Sequence, residues 1–121
     1  MYQVRVRRHF DAAHALRGYE GKCEATHGHR YEVVVCLEAD DLDETGLAYD
    51  FTALKEALEP IIDRFDHAFL NEIPPFDELN PSSENIARVI YEELQQSVEG
   101  AHLHSVEIWE SPDAWVTYSA T

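Results

Sequence analysis

The sequence has little cysteine, few basic residues and no long apolar run. Its longest apolar stretch is the segment from Val33 to Leu37, which is far too short to cross a membrane. No apolar stretch follows the charged residues of its first segment, MYQVRVRRHF, as an export signal would require. We therefore expect a soluble, cytoplasmic protein with no membrane partner. Its 121 residues fit a single domain over positions 1–121.

The scarcity of lysine and arginine argues against nucleic acid as a partner. Nine basic residues stand against 24 acidic ones, for a net charge of −15. Binding to nucleic acid needs clustered basic side chains that neutralise phosphates. Residues 1–31 are the exception, because there the basic residues outnumber the acidic ones. This basic segment either attracts an anionic small molecule or forms a solvated arginine face.

Only two cysteines are present, and their surroundings differ. They could pair, but a chain of this size without an export signal is expected to keep both as thiols. Cys36 lies among valines and a leucine, which is typical of a small buried residue. Cys23 has polar neighbours, including Lys22, and this favours a reactive thiol over a buried one.

Hydrophobic periodicity predicts four strands and two helices. Apolar and polar residues alternate over Tyr2 to Arg7, Tyr31 to Leu37 and Leu103 to Glu110, and Ala114 to Tyr118 is a further short strand. The order strand, strand, helix, helix, strand, strand predicts an α+β fold with a four-stranded antiparallel sheet and both helices on one face. Such a sheet has open edges, which a symmetric homo-oligomer would close.

The two helices have recognisable starts. Asp50 is a plausible N-cap for the first, and either Ser82 or Ser83 can cap the second. Pro60 must kink the first helix or begin a new segment. The apolar positions at helical spacing in the first helix are Phe51, Leu54, Leu58, Ile61, Ile62 and Phe65. Those in the second are Ile86, Val89, Ile90 and Leu94.

Potential metal ligands are concentrated in KCEATHGHRY, residues 22–31. His27 and His29 share one face if the second strand extends back to them, and two imidazoles on one face can bind one metal ion. The candidates for a third ligand are Cys23, His14, His9 and His67. Cysteine would give a structural zinc site, whereas three histidines leave a coordination position open for catalysis. A polar entry into the strand is the alternative to any metal site.

Two carboxylates also occupy informative positions. Asp66 precedes His67 in FDHAFLN and could orient its imidazole, provided that the helix has ended there. Otherwise His67 is a helix-terminal histidine near the negative end of the dipole. Glu110 lies on the same face as Val106 and Ile108, at the end of an apolar row. It either accepts a pair of N–H donors from a ligand or lies in water beyond the strand.

Six segments together resemble the family of 6-pyruvoyl- and 6-carboxy-tetrahydropterin synthases, in the same order. They are FDAAH at 10–14, CEATHGH at 23–29, YDF at 49–51, FDHAFLN at 65–71, NPSSEN at 80–85 and WES at 109–111. The resemblance implies a T-fold, in which the sheets of several subunits join into a barrel. It also implies active sites between subunits of a homohexamer built from two trimers.

The same resemblance implies a role for each candidate residue. The zinc ligands would be His14, His27 and His29, and the catalytic residues Cys23, Asp66 and His67. Glu110 would anchor the pterin ring, and Ser82 and Ser83 would contact the substrate. That substrate is 7,8-dihydroneopterin triphosphate, converted in the 6-carboxy branch to 6-carboxy-tetrahydropterin, acetaldehyde and triphosphate for deazapurine (queuosine or archaeosine) synthesis. Three residues between the cysteine and HGH are similar to this branch.

Alternatives to the 6-carboxy branch remain. One is a 6-pyruvoyl synthase, which retains the side chain. Glu24 also matches an E-x2-HGH pattern of relatives that cleave the side chain to give 6-hydroxymethyl-dihydropterin for folate; the alternative for Glu24 is a solvated acid. A pterin-binding module without catalysis is a further alternative, but binding would need only Glu110.

Overall fold

The structure is a computed structural model that describes residues 1–18, 27–98 and 101–120. Its elements are strands β1 (Tyr2–His14) and β2 (His27–Ala39), helix α1 (Phe51–Phe65), strand β3 (Ala68–Phe69), a 3-10 turn (Leu70–Glu72), helix α2 (Ser83–Gln95), and strands β4 (His102–Ser111) and β5 (Ala114–Tyr118). The predicted order of strands and helices is confirmed, with β3 and the 3-10 turn added between the two helices.

The sheet has five strands, in the order β3-β1-β2-β4-β5. Neighbouring strands are antiparallel except that β3 is parallel to β1, through the pairs Ala12–Ala68 and Ala13–Phe69. The prediction of a four-stranded, purely antiparallel sheet is therefore wrong. A strand of two residues is too short to show a period of two, so the pattern could not reveal β3.

Both helices cover one face of the sheet, as predicted. The core strand residues are Val6, Phe10, Ala12, Tyr31, Val33, Val35, Leu37, Leu103, Val106 and Ile108. By alternation and register these all project from the same face, with a register shift in the β2–β4 pairing that brings Leu103 to the face of Val106. The helix residues of the same cluster include Leu54, Leu58, Ile61, Ile62, Phe65, Ile86, Val89, Ile90 and Leu94. The helices therefore form one layer and the sheet the other.

The predicted helix caps are present. The side chain of Asp50 accepts a hydrogen bond from the main-chain N–H of Thr52, and that of Ser82 caps α2. Helix α1 continues through Pro60, which therefore does not begin a new segment. Phe51 is 55% exposed, contrary to its predicted core position. It lies in the first turn, before Leu54, the first helix residue to reach the core.

The sheet face opposite the helices carries charged side chains of β1 and β2, among them Arg7, Asp11 and Arg30. Cys36 lies on this face but is buried as predicted, and burial raises the pKa of its thiol. Within the described residues, no helix combines the length and the apolar character needed to cross a bilayer.

Candidate active site

Two of the three predicted zinc ligands meet on the helix-facing side of the sheet. His14 ends β1 and is buried, while His29 lies near the start of β2. Their Nε2 atoms are 3.3 Å apart. Zinc–nitrogen bonds of about 2.0–2.1 Å place two ligands of a tetrahedral ion about 3.4 Å apart. The two imidazoles therefore fit a single zinc ion.

The neighbours of His14 fix the direction of its ring. Its Nδ1 lies 2.9 Å from the main-chain oxygen of Pro81. Because a carbonyl oxygen only accepts, this contact favours the proton on Nδ1 and leaves the Nε2 lone pair for a metal. The Tyr31 hydroxyl lies 2.7 Å from His14 Nδ1 and 2.9 Å from His29 Nε2. The alternation pattern predicts Tyr31 only as a strand residue, although it already places Tyr31 on the face of His29.

Three predicted site groups belong to the segment that the structure does not describe. Cys23 and Glu24 lie outside the described residues, and so does the side chain of His27. The main chain of His27 pairs with that of His14 in the β1–β2 ladder. The roles of Cys23, Glu24 and the His27 imidazole therefore stay predictions.

Asp66 and His67 are in direct contact because the helix has ended. Helix α1 stops at Phe65, Asp66 has an extended backbone, and His67 has a positive φ of 56°. Asp66 Oδ1 lies 3.1 Å from His67 Nδ1. Contact between Asp66 and His67 was predicted only if the helix ends before them, and the structure meets this condition. His67 therefore does not lie within the last helical turn.

The main chain of Asp11 holds both residues in place. Its N–H donates to Asp66 Oδ1 at 2.9 Å, and its carbonyl accepts the N–H of His67 at 2.6 Å. The hydrogen bond from the Asp11 main chain is the largest cause that lowers the pKa of Asp66. Asp66 is therefore ionised at neutral pH and can orient the imidazole.

Donor atoms of Asp11, Asp66 and His67 all lie within 4.8 Å of one another, a grouping that could also hold a metal ion. However, both oxygens of Asp11 accept hydrogen bonds from Arg30, at 2.9 and 3.2 Å. This guanidinium lowers the pKa of Asp11 and would repel a second cation. The arrangement is better suited to supporting His67 than to binding metal.

The zinc-ligand candidate His29 and the imidazole of His67 open onto the same cleft. This cleft, of about 530 Å³, is lined by Asp11, Ala12, Ala13, Gly28, His29, Arg30, His67, Ala68 and Phe69. The short strand β3 makes this possible, because it brings the residues after α1 back alongside β1. A ligand held at His29 would therefore lie within a cleft that also contains the imidazole of His67.

Glu110 ends the helix-facing row of β4, as its parity predicts. It is half-buried, and the buried Ser83 hydroxyl donates a hydrogen bond to its Oε1. It also borders a second cleft, of about 600 Å³, lined by Arg7, Arg30, Glu32, Trp109, Glu110, Ser111 and Pro112. Arg30 lines both clefts, so the two are adjacent. Ser82, by contrast, caps α2 with its side chain.

Two asparagines in the quoted motifs have a supporting role that the sequence analysis missed. The Asn71 side chain bonds to both the N–H and the carbonyl of Ala15, and Asn80 does the same for Arg17. These amides act as strand partners for the segment that follows His14. Their signal is their place in FDHAFLN and NPSSEN, next to the predicted site residues.

Comparison with known proteins gives consistent matches. The family model described as 6-pyruvoyl tetrahydropterin synthase matches residues 3–121. A 6-carboxy-5,6,7,8-tetrahydropterin synthase of Synechocystis is 40% identical over 108 residues, covering 84% of this chain and 81% of its own. A dihydroneopterin monophosphate aldolase of Pyrococcus furiosus is 34% identical over 109 residues, or 89% of each chain. The solved 6-pyruvoyl tetrahydropterin synthase of Caenorhabditis elegans, 30% identical, superposes with a TM-score of 0.86 over 100% of this chain and 98% of its own.

Proposed function

The chain belongs to the 6-pyruvoyl tetrahydropterin synthase family, and on this basis we propose that it is a 6-carboxy-5,6,7,8-tetrahydropterin synthase. It converts 7,8-dihydroneopterin triphosphate to 6-carboxy-tetrahydropterin, acetaldehyde and triphosphate, in the deazapurine branch. The observation that carries the proposal is the cleft shared by His29 and His67. A pterin-binding module without catalysis would have no need of this combination.

The metal site of the proposal consists of His14, His27 and His29. The 3.3 Å separation of two Nε2 atoms and the all-imidazole donor set support zinc. When bound, the ion supplies Lewis acidity toward the side-chain oxygens of the substrate, which makes the neighbouring C–H bonds more acidic.

His67 is the proposed proton-transfer residue, with the Cys23 thiol as its partner. Asp66 accepts the Nδ1 proton of His67, so that Nε2 carries the lone pair that removes a proton from the substrate side chain. The ionised form of Asp66 also stabilises the imidazolium that results. The cleft position of His67 supports this role.

Glu110 is the proposed anchor of the pterin ring. The pterin edge offers an amino group and a ring N–H side by side, and a carboxylate can accept both. The Ser83 hydroxyl donates to Oε1 and thereby holds the carboxylate in position, while acceptor capacity remains on both oxygens. Ser83 thus acts on the substrate through Glu110, and Ser82 through the start of α2.

We also propose a cytoplasmic homohexamer made of two trimers with barrel-like sheets. The edge positions of β5 and of the very short β3 support it, because exposed sheet edges favour pairing with another copy. Native mass spectrometry at several protein concentrations tests this assembly. A monomer at all of them would refute it.

The function is tested by incubating the zinc-loaded protein with 7,8-dihydroneopterin triphosphate and analysing the products by mass spectrometry. Acetaldehyde with 6-carboxy-tetrahydropterin is the expected outcome. A diketone product would instead identify a 6-pyruvoyl synthase. Glu110→Gln should raise KM more than it lowers kcat, and an unchanged KM would remove Glu110 from the ring site. Absence of any product would favour the binding module.

A side-chain-cleaving aldolase is the second candidate, because of the Pyrococcus relative and the E-x2-HGH pattern at Glu24. Here the matched variants are Cys23→Ala and Glu24→Gln. The 6-carboxy synthase loses turnover with the first and keeps it with the second. The reverse result, with 6-hydroxymethyl-dihydropterin as the product, would establish the aldolase.

A further inference from the structure

Arg30 pairs with a carboxylate that adjoins the proton-transfer residue. It lies directly opposite Asp11 in the β1–β2 ladder, and two of its nitrogens donate to the two oxygens of Asp11. The side chains are 58% and 39% exposed. Solvent screens exposed ion pairs, but the bidentate geometry of this one holds its two charges in a fixed place. The pair therefore keeps a positive charge directly beside the carboxylate of Asp11.

His67 lies beside two carboxylates. Asp66 contacts its Nδ1, and an oxygen of Asp11 lies within 4.8 Å of donor atoms of both residues. Two carboxylates at this distance place a strongly negative potential at the ring that must exchange a proton with the substrate. Arg30 supplies the positive charge that offsets one of them.

We propose that Arg30 is a positioning residue for proton transfer at His67, because it neutralises Asp11 and leaves Asp66 as the one uncompensated carboxylate that the described residues place beside the imidazole. The inference rests on the proposed function, which assigns proton transfer to His67. The charged and titratable groups around this imidazole, within the described part of the chain, are Asp66 from its own segment, His9 and Asp11 from β1, and His29 and Arg30 from β2.

The arrangement predicts that substitutions of Arg30 and of Asp11 change the protonation of His67 in opposite directions. Arg30→Gln leaves the charge of Asp11 uncompensated and favours the imidazolium. Asp11→Asn leaves the charge of Arg30 uncompensated and favours the neutral ring. In the double variant both charges are gone, so the two effects cancel.

The direct test is an NMR pH titration of the full-length, zinc-loaded protein with labelled histidine, in which the loss of one signal in His67→Gln assigns His67. In Arg30→Gln the signal of His67 should titrate at a pH higher by on the order of half a unit, as for one exposed charge at this distance. In Asp11→Asn it should move to lower pH by a similar amount. The double variant should match the parent.

The control is Arg88→Gln, which removes the same charge from an ion pair of similar exposure on α2. Arg88 contacts Glu92 at 2.9 Å, with side chains 63% and 53% exposed. This variant should leave the titration of His67 unmoved. An equal movement in the control would show an effect of net charge alone and overturn the inference. A shift of the His67 titration in the same direction in Arg30→Gln and Asp11→Asn would also overturn it.

Kinetics separate this inference from the proposed function. The acidic limb of the kcat/KM profile with 7,8-dihydroneopterin triphosphate should follow the NMR titration in Arg30→Gln and return in Arg30→Lys. If the signal moves as expected but the parent protein turns over no substrate, the electrostatic assignment of Arg30 stands and the function fails. If the parent is active and the signal does not move, the inference fails and the function stands.

Discussion

The two ends of β2 follow the same alternation but face different surroundings. On the helix-facing side, Val33, Val35 and Leu37 are completely buried against the helices. His29, four residues before Val33 on the same side, instead reaches His14 and opens onto a cleft. A period of two thus specifies which side a residue faces, and what lies on that side decides whether the position serves stability or chemistry.

The difference arises from the segments that cover each end. Helices α1 and α2 seal the core end with apolar side chains. At the site end the cover is polar main chain and side chains, including the Pro81 carbonyl and the amides of Asn71 and Asn80. We therefore expect substitutions at the site end to reduce activity more than stability, and substitutions at the core end to do the opposite.

The largest effect is expected for His29→Ala. With one imidazole of the proposed site removed, zinc content should fall and turnover should be lost, while the thermal midpoint of the zinc-free protein changes little. Metal analysis and a product assay measure this. His102→Ala, at an exposed histidine at the start of β4, is the control and should keep both zinc and activity. Full zinc content in His29→Ala would contradict the assignment.

His67→Gln should separate proton transfer from metal binding, because it removes a proposed proton-transfer group without removing a zinc ligand. We expect kcat to fall by about 10²- to 10⁴-fold, the usual contribution of general acid–base catalysis, with zinc content unchanged. Steady-state kinetics alongside metal analysis provide the measurement. A kcat close to that of the parent would remove His67 from the mechanism.

Leu37→Ala tests the core end of the same strand. Truncation of a completely buried leucine should lower the free energy of unfolding by about 2–5 kcal/mol. Zinc content and kcat of the folded protein should be retained. Urea denaturation and activity at a permissive temperature measure the two quantities. A loss of activity without a loss of stability would contradict the proposal that the core end of β2 serves stability and its site end serves activity.

Much of the fold could be predicted from the sequence, because long periodic segments carry their own signal. The core residues of β2, the caps Asp50 and Ser82, and the buried face of α2 are confirmed. The two-residue strand β3 was missed because pairing with β1, and not local pattern, creates it. The exposure of Phe51 was missed because helical spacing does not show where a helix meets the sheet.

The sequence suggested candidate site residues, but it could not show their geometry. The sequence indicated that a contact between Asp66 and His67 needs the helix to have ended, and the structure shows this. It could not show that the main chain of Asp11 holds both residues, since that contact depends on β3. Contacts across 55 positions of the chain follow from tertiary packing and leave no local signal.

The smallest predicted effect concerns one carboxylate near each end of β2. Asp43, in the loop after the core end, accepts a main-chain hydrogen bond from Leu47 that lowers its pKa, and the Asp11 main chain does the same for Asp66. Each ionised group therefore adds stability that is present above its ordinary pKa of 3.8 and is lost as the pH falls through the lowered value.

Urea midpoints of Asp43→Asn and Asp66→Asn should lie slightly below the parent's at neutral pH and converge with it as the solution is acidified. Only Asp66→Asn should also lower kcat. A deficit that is independent of pH would mean that the charge of these groups is not what stabilises the fold.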